Sequence, residues 1–343
     1  MAGDPYFNDV SLLLHCDGTN GSTTFTDSSN NGLTVTANGN AQISTAQSKF
    51  GGASGYFDGS SSYVNTTLAS ALGTVDFTVE IWFYLTSTSA VLQRIIGNFG
   101  GYIGINPTTN YLVFSSNGSD AIINSVATTL NTWTHVAISR NSSITKMFVN
   151  GVQVGLNYSD SISYIDLVTV AANYPLGTDS FFGYIDDVRI TKGIARYTSN
   201  FTPPTSAFPD YQPYISGTLS ESLAATDFKA RAYQLSDGAL VSDTTVTSSP
   251  YTLELQTLEP VLVTMLPDYG TQWAASTAYA LNDKVFPTDP ATSPYYYECT
   301  TAGTSDASEP TWPTSGTVND GTAVWTYVEQ MVQPITHGPL IPS

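Results

Sequence analysis

Phe77-Thr-Val-Glu-Ile-Trp-Phe-Tyr-Leu85 decides the fold. Its odd positions, Phe77, Val79, Ile81, Phe83 and Leu85, form one uniformly apolar row, alternating with Thr78, Glu80, Trp82 and Tyr84. Period two with one apolar face describes a strand lying on a core. The same pattern repeats on either side. Trp133-Thr-His-Val-Ala-Ile-Ser139 alternates again, and Gly183-Tyr-Ile-Asp-Asp-Val-Arg-Ile190 closes the set. Lys146 to Val154 reads as two short strands around Asn150-Gly151, because Asn-Gly supplies the two positive φ angles of a type I′ hairpin turn. Further Asn-Gly pairs stand at Asn20, Asn31, Asn38 and Asn117. No segment holds a helical stripe for three turns, so many short strands joined by tight turns predict a sandwich or barrel.

Composition agrees. Charged residues are only 11% of the 343, too few for the wet faces of long helices, whereas 41% hydrophobic residues suffice for cores. With 10 basic against 28 acidic residues the net charge is −18, and residues 1–210, 211–270 and 271–343 are each acidic on their own. Nucleic acid and anionic lipid are therefore poor partners, since both need clustered Lys and Arg. No apolar run approaches the ~20 residues of a membrane helix. The opening Met1 to Gly18 lacks a basic n-region and its apolar run is Leu12 to Leu14 alone, so the expectation is a chain without a secretory leader, folded in the cytoplasm. Cys16 and Cys299 lie far apart in sequence and are expected as free, buried thiols.

The chain divides by composition. Residues 1–208 carry the strands above. Phe201 to Pro213 holds four prolines and reads as a semi-rigid linker or a strap along the surface. A small β unit follows over 209–269, with Ile215-Ser-Gly-Thr-Leu219, Phe228 to Tyr233, Tyr251 to Leu255 and Val261 to Met265 as strands. Over 270–330 aromatics crowd together: Trp273, Tyr279, Tyr295, Tyr296, Tyr297, Trp312, Trp325 and Tyr327. Residues 331–343 read as an extended arm.

Five motifs in order, Phe57-Asp-Gly-Ser-Ser-Ser-Tyr-Val64, Phe77 to Trp82, Trp133 to Ala137, Phe148-Val-Asn-Gly-Val152 and Gly183 to Ile190, resemble those of a laminin-G-like, concanavalin-A-like jelly roll. The fold expected is thus all-β: a concanavalin-A-like jelly-roll sandwich followed by two small β modules. Asp4 to His15, Asp27-Ser-Ser-Asn-Asn-Gly32 and Lys49-Phe-Gly-Gly-Ala53 resemble versions carried by tailed-bacteriophage virion proteins. Tyr279 to Val285, Cys299 to Pro313 and Asp320 to Trp325 look like a module of phage tail and fibre proteins, similar to small chitin- and cellulose-binding modules.

The resemblance implies a virion component, in the tail, fibre or head decoration, present in many copies beside other virion proteins. It also implies lectin-like contacts with host-surface glycans. Alternatives are a bacterial surface or secreted glycan-binding protein, a depolymerase, and a purely architectural spacer. Catalysis is not expected: residues 1–208 hold a single glutamate, Glu80, against the two carboxylates that glycan hydrolysis needs, and His15, His135 and His337 are scattered. For sugar, Trp312 between Pro310 and Pro313 is the expected stacking platform, with Tyr295 and Tyr296 as further ligand-binding residues. Trp273, Tyr279, Trp325, Trp82 and Trp133 are expected in cores. The resemblance also implies calcium at Asp27, Asn31 and Asp186. The residues alone fit as well an Asx turn at Asp27 and an Asp186 that accepts backbone N–H groups.

Overall fold

The computed structural model describes residues 3–175, 177–217, 228–246, 250–267, 269–291, 293–330 and 335–342. The end of the strand expected from Ile215 and residues 331–334 of the arm lie outside the described residues. The chain forms two compact units, Tyr6–Gln212 and a second made of Pro213–Ser343 with Met1–Pro5.

In Tyr6–Gln212 two antiparallel sheets enclose one core. The first runs, edge to edge, Val152–Ser159, Ile144–Val149, Trp133–Asn141, Phe77–Leu85, Phe182–Lys192, Ser54–Asp58, Gln42–Ser44, and Val10–Leu14 also pairs with Phe182–Lys192. The second runs Ser119–Ala127, Tyr111–Ser116, Gly101–Ile105, Gln93–Gly97, Leu167–Val170, Tyr63–Thr67, Thr36–Asn38. The odd positions of Phe77–Leu85 are all sealed in the core between them. The Asn150-Gly151 turn has both φ angles positive, 46° and 78°. Gly151 is required twice over: a Cβ there would lie 1.9 Å from the Phe201 carbonyl oxygen, which belongs to the proline-rich segment passing over the turn.

That segment is a strap. The Phe201 N–H donates to the Gly151 carbonyl (2.9 Å), Phe201 stacks on Tyr197 (3.6 Å between centroids), and Phe208 is buried with Phe7, Val10 and Leu13. Beneath the strap lie the even positions of the central strand. Thr78 accepts from the Arg196 N–H, and Glu80 is fully buried. The Glu80 carboxylate accepts from Arg189 Nε (3.0 Å) and Nη2 (2.8 Å) and from the Tyr197 hydroxyl (2.7 Å). His135 Nε2 lies 3.3 Å away in an electrostatic contact rather than an aligned hydrogen bond, and Arg196 Nε stands at 3.9 Å. Burial alone would raise the Glu80 pKa. The Arg189 guanidinium, with His135 and Arg196, outweighs burial and holds the carboxyl well below the usual carboxylate range.

The second unit holds two cores. One gathers Ile215, Ala230, Ala232, Leu253, Val261 and Val263. Its four-stranded sheet runs Leu240–Val246, Phe228–Gln234, Val261–Pro267, Ile335–Leu340, so most of the expected arm is a strand that completes this sheet: its backbone groups pair with Val261 to Met265. The other core gathers Trp273, Tyr279, Val285, Tyr297, Cys299 and Trp325 under a five-stranded sheet. Cys16 and Cys299 are both free and buried.

Removing one partner of a buried ion pair strands the other charge, so Arg189→Ala is expected to destabilise the Tyr6–Gln212 unit by about 3–5 kcal/mol. Chemical denaturation of the two proteins measures this, and a loss under about 1 kcal/mol would mean that Glu80 is held by other groups.

Candidate functional site

Cover over the outer face of the first sheet ends along a definite line. On the central strand Thr78 and Glu80 lie under the strap with no exposed surface, and Trp82 is covered by the Lys49 ammonium (4.1 Å from its ring centroid) and by Phe50 edge-on. The next residue on that face, Tyr84, is only half-buried. Register carries the same row across the sheet. Trp133 pairs with Tyr84, Tyr84 with Tyr184, Tyr184 with Tyr56, and Tyr56 with Gln42. All five side chains are half-buried.

The four rings touch in sequence. Centroid separations are 5.6 Å for Trp133 and Tyr84, 5.9 Å for Tyr84 and Tyr184, and 5.2 Å for Tyr184 and Tyr56. Interplanar angles of 57°, 79° and 47° make a corrugated strip of alternating ring faces and edges. Neighbouring strands are ~4.8 Å apart, so four rings span about 14 Å perpendicular to the strands. Such contacts stabilise a sheet by themselves, roughly 0.2–1 kcal/mol per cross-strand pair. They also leave a continuous row of aromatic carbon with phenolic hydroxyls at its edges, which is the chemistry that receives the C–H faces and hydroxyls of sugar rings. The phenol of Tyr184 is pushed up, first by burial and then by Tyr56 and Tyr84, so it stays uncharged at neutral pH.

The residues expected as sites do something else. Trp312 is half-buried with one face stacked on Tyr297 (4.3 Å), its edge near Trp325 (6.2 Å) and its Nε1 donating to Glu309 (2.7 Å). Tyr295 packs beside Tyr327 on the same side. Tyr296, one residue on, points to the opposite face, is 2% exposed and packs against Tyr269, which corrects its assignment as a ligand-binding residue. Strand alternation keeps the three from converging. Trp325 and Trp273 are core, both donating to the buried Asp320. Trp133, expected in a core, stands in the strip instead.

Asp27, Asn31 and Asp186 are anchors of backbone. Asp27 accepts four hydrogen bonds, from the N–H groups of Leu13, Ser29 and Leu33 and from the Ser29 hydroxyl. Asn31 donates to the carbonyls of Val10 and Ser11. Asp186 accepts from the N–H groups of Lys49, Phe50 and Asp187. Donors thus occupy four lone-pair positions of Asp27 and three of Asp186, whereas calcium takes six to eight oxygens. Among the described residues no group of three or more His, Cys, Asp or Glu side chains is placed to hold a metal ion. Asp186 lies at a bulge, where Asp187 has φ +44° and in turn accepts from the Phe208 N–H and bonds His15 Nδ1 (2.7 Å). Burial first, then Asp187 and Asp17, push Asp186 up to about 7 against the pull of the Lys49 and Phe50 N–H groups.

The strip was signalled in part. Tyr84 and Tyr184 lie in alternating segments whose polar-side positions are visible in sequence, but only register shows that Trp133, Tyr84, Tyr184 and Tyr56 share one row.

Residues 58–195 match the family model of the concanavalin A-like lectin and glucanase superfamily. Together with the two sheets packed on one core, this makes the Tyr6–Gln212 unit a concanavalin-A-like jelly roll. Among solved structures the chain is similar to domain 4 of an extracellular GH43 arabinanase from Geobacillus stearothermophilus in complex with arabinotriose, at 18% identity and a TM-score of 0.41, covering 54% of this chain and 93% of that one. It is similar to Trypanosoma rangeli sialidase in complex with sialic acid at 10% identity and 0.43, covering 53% and 30%. A SAP-like pentraxin from Limulus polyphemus aligns at 14% identity and 0.32, covering 39% and 73%. No curated protein matches the sequence.

Two solution tests follow from the anchors. Because the folded pKa of Asp186 is raised, its contribution to stability is full below about pH 4 and is lost as pH rises through about 7. Denaturation midpoints of the wild type, compared with Asp186→Asn, are expected to fall between about pH 4 and 7; parallel profiles would refute the assignment. Thermal melts in millimolar calcium and in chelator are expected to coincide, and a rise with calcium would show a site elsewhere or a rearranged Asp27 loop.

Proposed function

We propose that the Tyr6–Gln212 unit binds an extended neutral glycan along the Trp133–Tyr84–Tyr184–Tyr56 strip, without catalysis. The observation that carries this is the bare aromatic row beside a face otherwise covered by the strap and by Lys49 and Phe50. Ring separations of 5–6 Å are on the scale of one sugar unit, so successive residues of a chain meet successive rings. A net charge of −18 disfavours polyanionic chains. Against hydrolysis stands the state of Glu80: the one glutamate of this unit is sealed, ionised and bonded on both oxygens, so it has no proton to give and no path to a substrate.

The wider setting belongs to the same proposal. A multicopy subunit of a tailed-phage particle, made in the host cytoplasm and assembled beside other virion proteins, is supported by the resemblance of the Asp4 to His15, Asp27 to Gly32 and C-terminal motifs. Many copies would convert weak single contacts into avidity for a cell-surface glycan.

Affinity electrophoresis against neutral β-glucan, xylan and arabinan tests the strip. Tyr84→Ala and Tyr184→Ala are each expected to weaken retardation by about 1–2 kcal/mol, the worth of part of a buried aromatic surface. Circular dichroism melts check that both variants remain folded. Unchanged retardation in both folded variants, or none in the wild type, would leave the strip as sheet packing alone.

A further inference from the structure

A second concave site lies on the other sheet. Between Gln93–Gly97, Gly101–Ile105 and Tyr111–Ser116 a cleft of about 300 Å³ opens on the outer face, walled by Tyr102 and Tyr174, with Leu167, Arg94, Asn98 and Ser115 between them. Glycines shape it. A Cβ on Gly97 would come within 2.7 Å of Tyr102 Cβ, and one on Gly101 within 2.6 Å of the Ser115 carbonyl oxygen.

The polar groups form an ordered chain. Arg94 Nε donates to Asp179 (3.0 Å) while its guanidinium lies 4.3 Å from the centroid of the Tyr102 ring. Arg94 Nη1 approaches the Asn98 side-chain oxygen (3.5 Å), and Asn98 Nδ2 donates to the Tyr174 carbonyl (3.0 Å). Tyr174 is braced edge-on by Tyr63 (6.2 Å). Asn98 holds φ +72° to reach this position, a left-handed conformation that asparagine tolerates.

Against this ordered frame stand groups with no partner. Among the described residues nothing bonds the hydroxyls of Tyr102, Tyr174 or Ser115, and Ser115 is 1% exposed. A nearly buried hydroxyl turned into a cleft without a protein partner calls for a ligand or water oxygen. Arg94 is neutralised by Asp179, so the cleft carries no net positive charge to select an anion. Two aromatic walls, an apolar edge at Leu167 and several hydroxyl and amide groups match one polyhydroxylated ring.

We infer that this cleft holds a single neutral sugar residue, the end of a glycan chain, so that the jelly roll reads a terminus on one sheet and a chain length on the other. This shares the glycan reading of the strip but does not need the strip to work. Tyr102 and Tyr174 would take the C–H faces, and Ser115, Asn98 and the Arg94–Asp179 pair would fix the hydroxyls.

Saturation-transfer NMR on the full chain, with methyl glycosides of glucose, galactose, mannose and N-acetylglucosamine as probes, tests it. At least one probe is expected to receive saturation from the wild type. Tyr174→Ala and Ser115→Ala are expected to weaken that probe about tenfold or abolish its signal, Tyr174→Phe to weaken it less, and Tyr184→Ala in the strip to leave it unchanged. Retardation by polysaccharide should survive Ser115→Ala. No transfer to any probe, or transfer that persists in both cleft variants, overturns the cleft. Monosaccharide binding without polysaccharide retardation upholds the cleft and sinks the strip.

Discussion

A carboxylate without water, Glu80, holds the middle of the first sheet together. Burying a charge costs several kcal/mol unless it is paired and its remaining lone pairs are filled. Here the pairing comes from Arg189 on the adjacent strand and from Tyr197 just ahead of the strap, with His135 on the strand at the other side. Three separate segments must be in place before the central strand is electrostatically satisfied. The segment leading into the strap is therefore a condition of the sheet, and the stack of Tyr197 on Phe201 covers the buried charge. Everything on that outer face is ordered by distance from this point: closed at Glu80, roofed at Trp82, bare at Tyr84.

The Asp186–Asp187 bulge does related work at the next strand. Two consecutive carboxylates would repel if both faced one environment. The bulge and the positive φ of Asp187 turn them apart, so that Asp186 captures the Lys49–Phe50 backbone and Asp187 captures His15 and the strap at Phe208. His15 titrates higher than an ordinary imidazole: burial would lower it, and Asp187 more than reverses that. The loop that roofs Trp82 and the strap at Phe208 are thus fixed by side chains of one strand.

Much of this was legible in the sequence, for reasons that also mark where legibility stopped. Alternation in Phe77–Leu85 assigns each side chain to a face because the period of a strand is fixed, and the Asn150-Gly151 turn follows from φ alone. Alternation cannot say what covers the polar face. Thr78, Glu80, Trp82 and Tyr84 look alike in sequence, yet their surroundings run from sealed to exposed because of a strap over a hundred residues away. The same limit misdirected the reading of the C-terminal module. Proline on both sides of Trp312 keeps it out of a strand, but not from stacking on Tyr297. Tyr295 and Tyr296 are adjacent in the chain and therefore on opposite faces. The cleft was not legible at all, since Arg94, Tyr102, Ser115 and Tyr174 come from four segments with no shared motif.

One detail of the jelly roll bears on how it behaves under load. Val10–Leu14 lies against Phe182–Lys192, and the Asn8 N–H reaches the Gln212 side chain at 3.4 Å, so the polypeptide comes in and leaves at one point. Tension carried along the backbone then acts on two adjacent ends of this unit. Pulling would open it like a zipper, one strand at a time from Val10 and from the strap, instead of shearing all ladder bonds together.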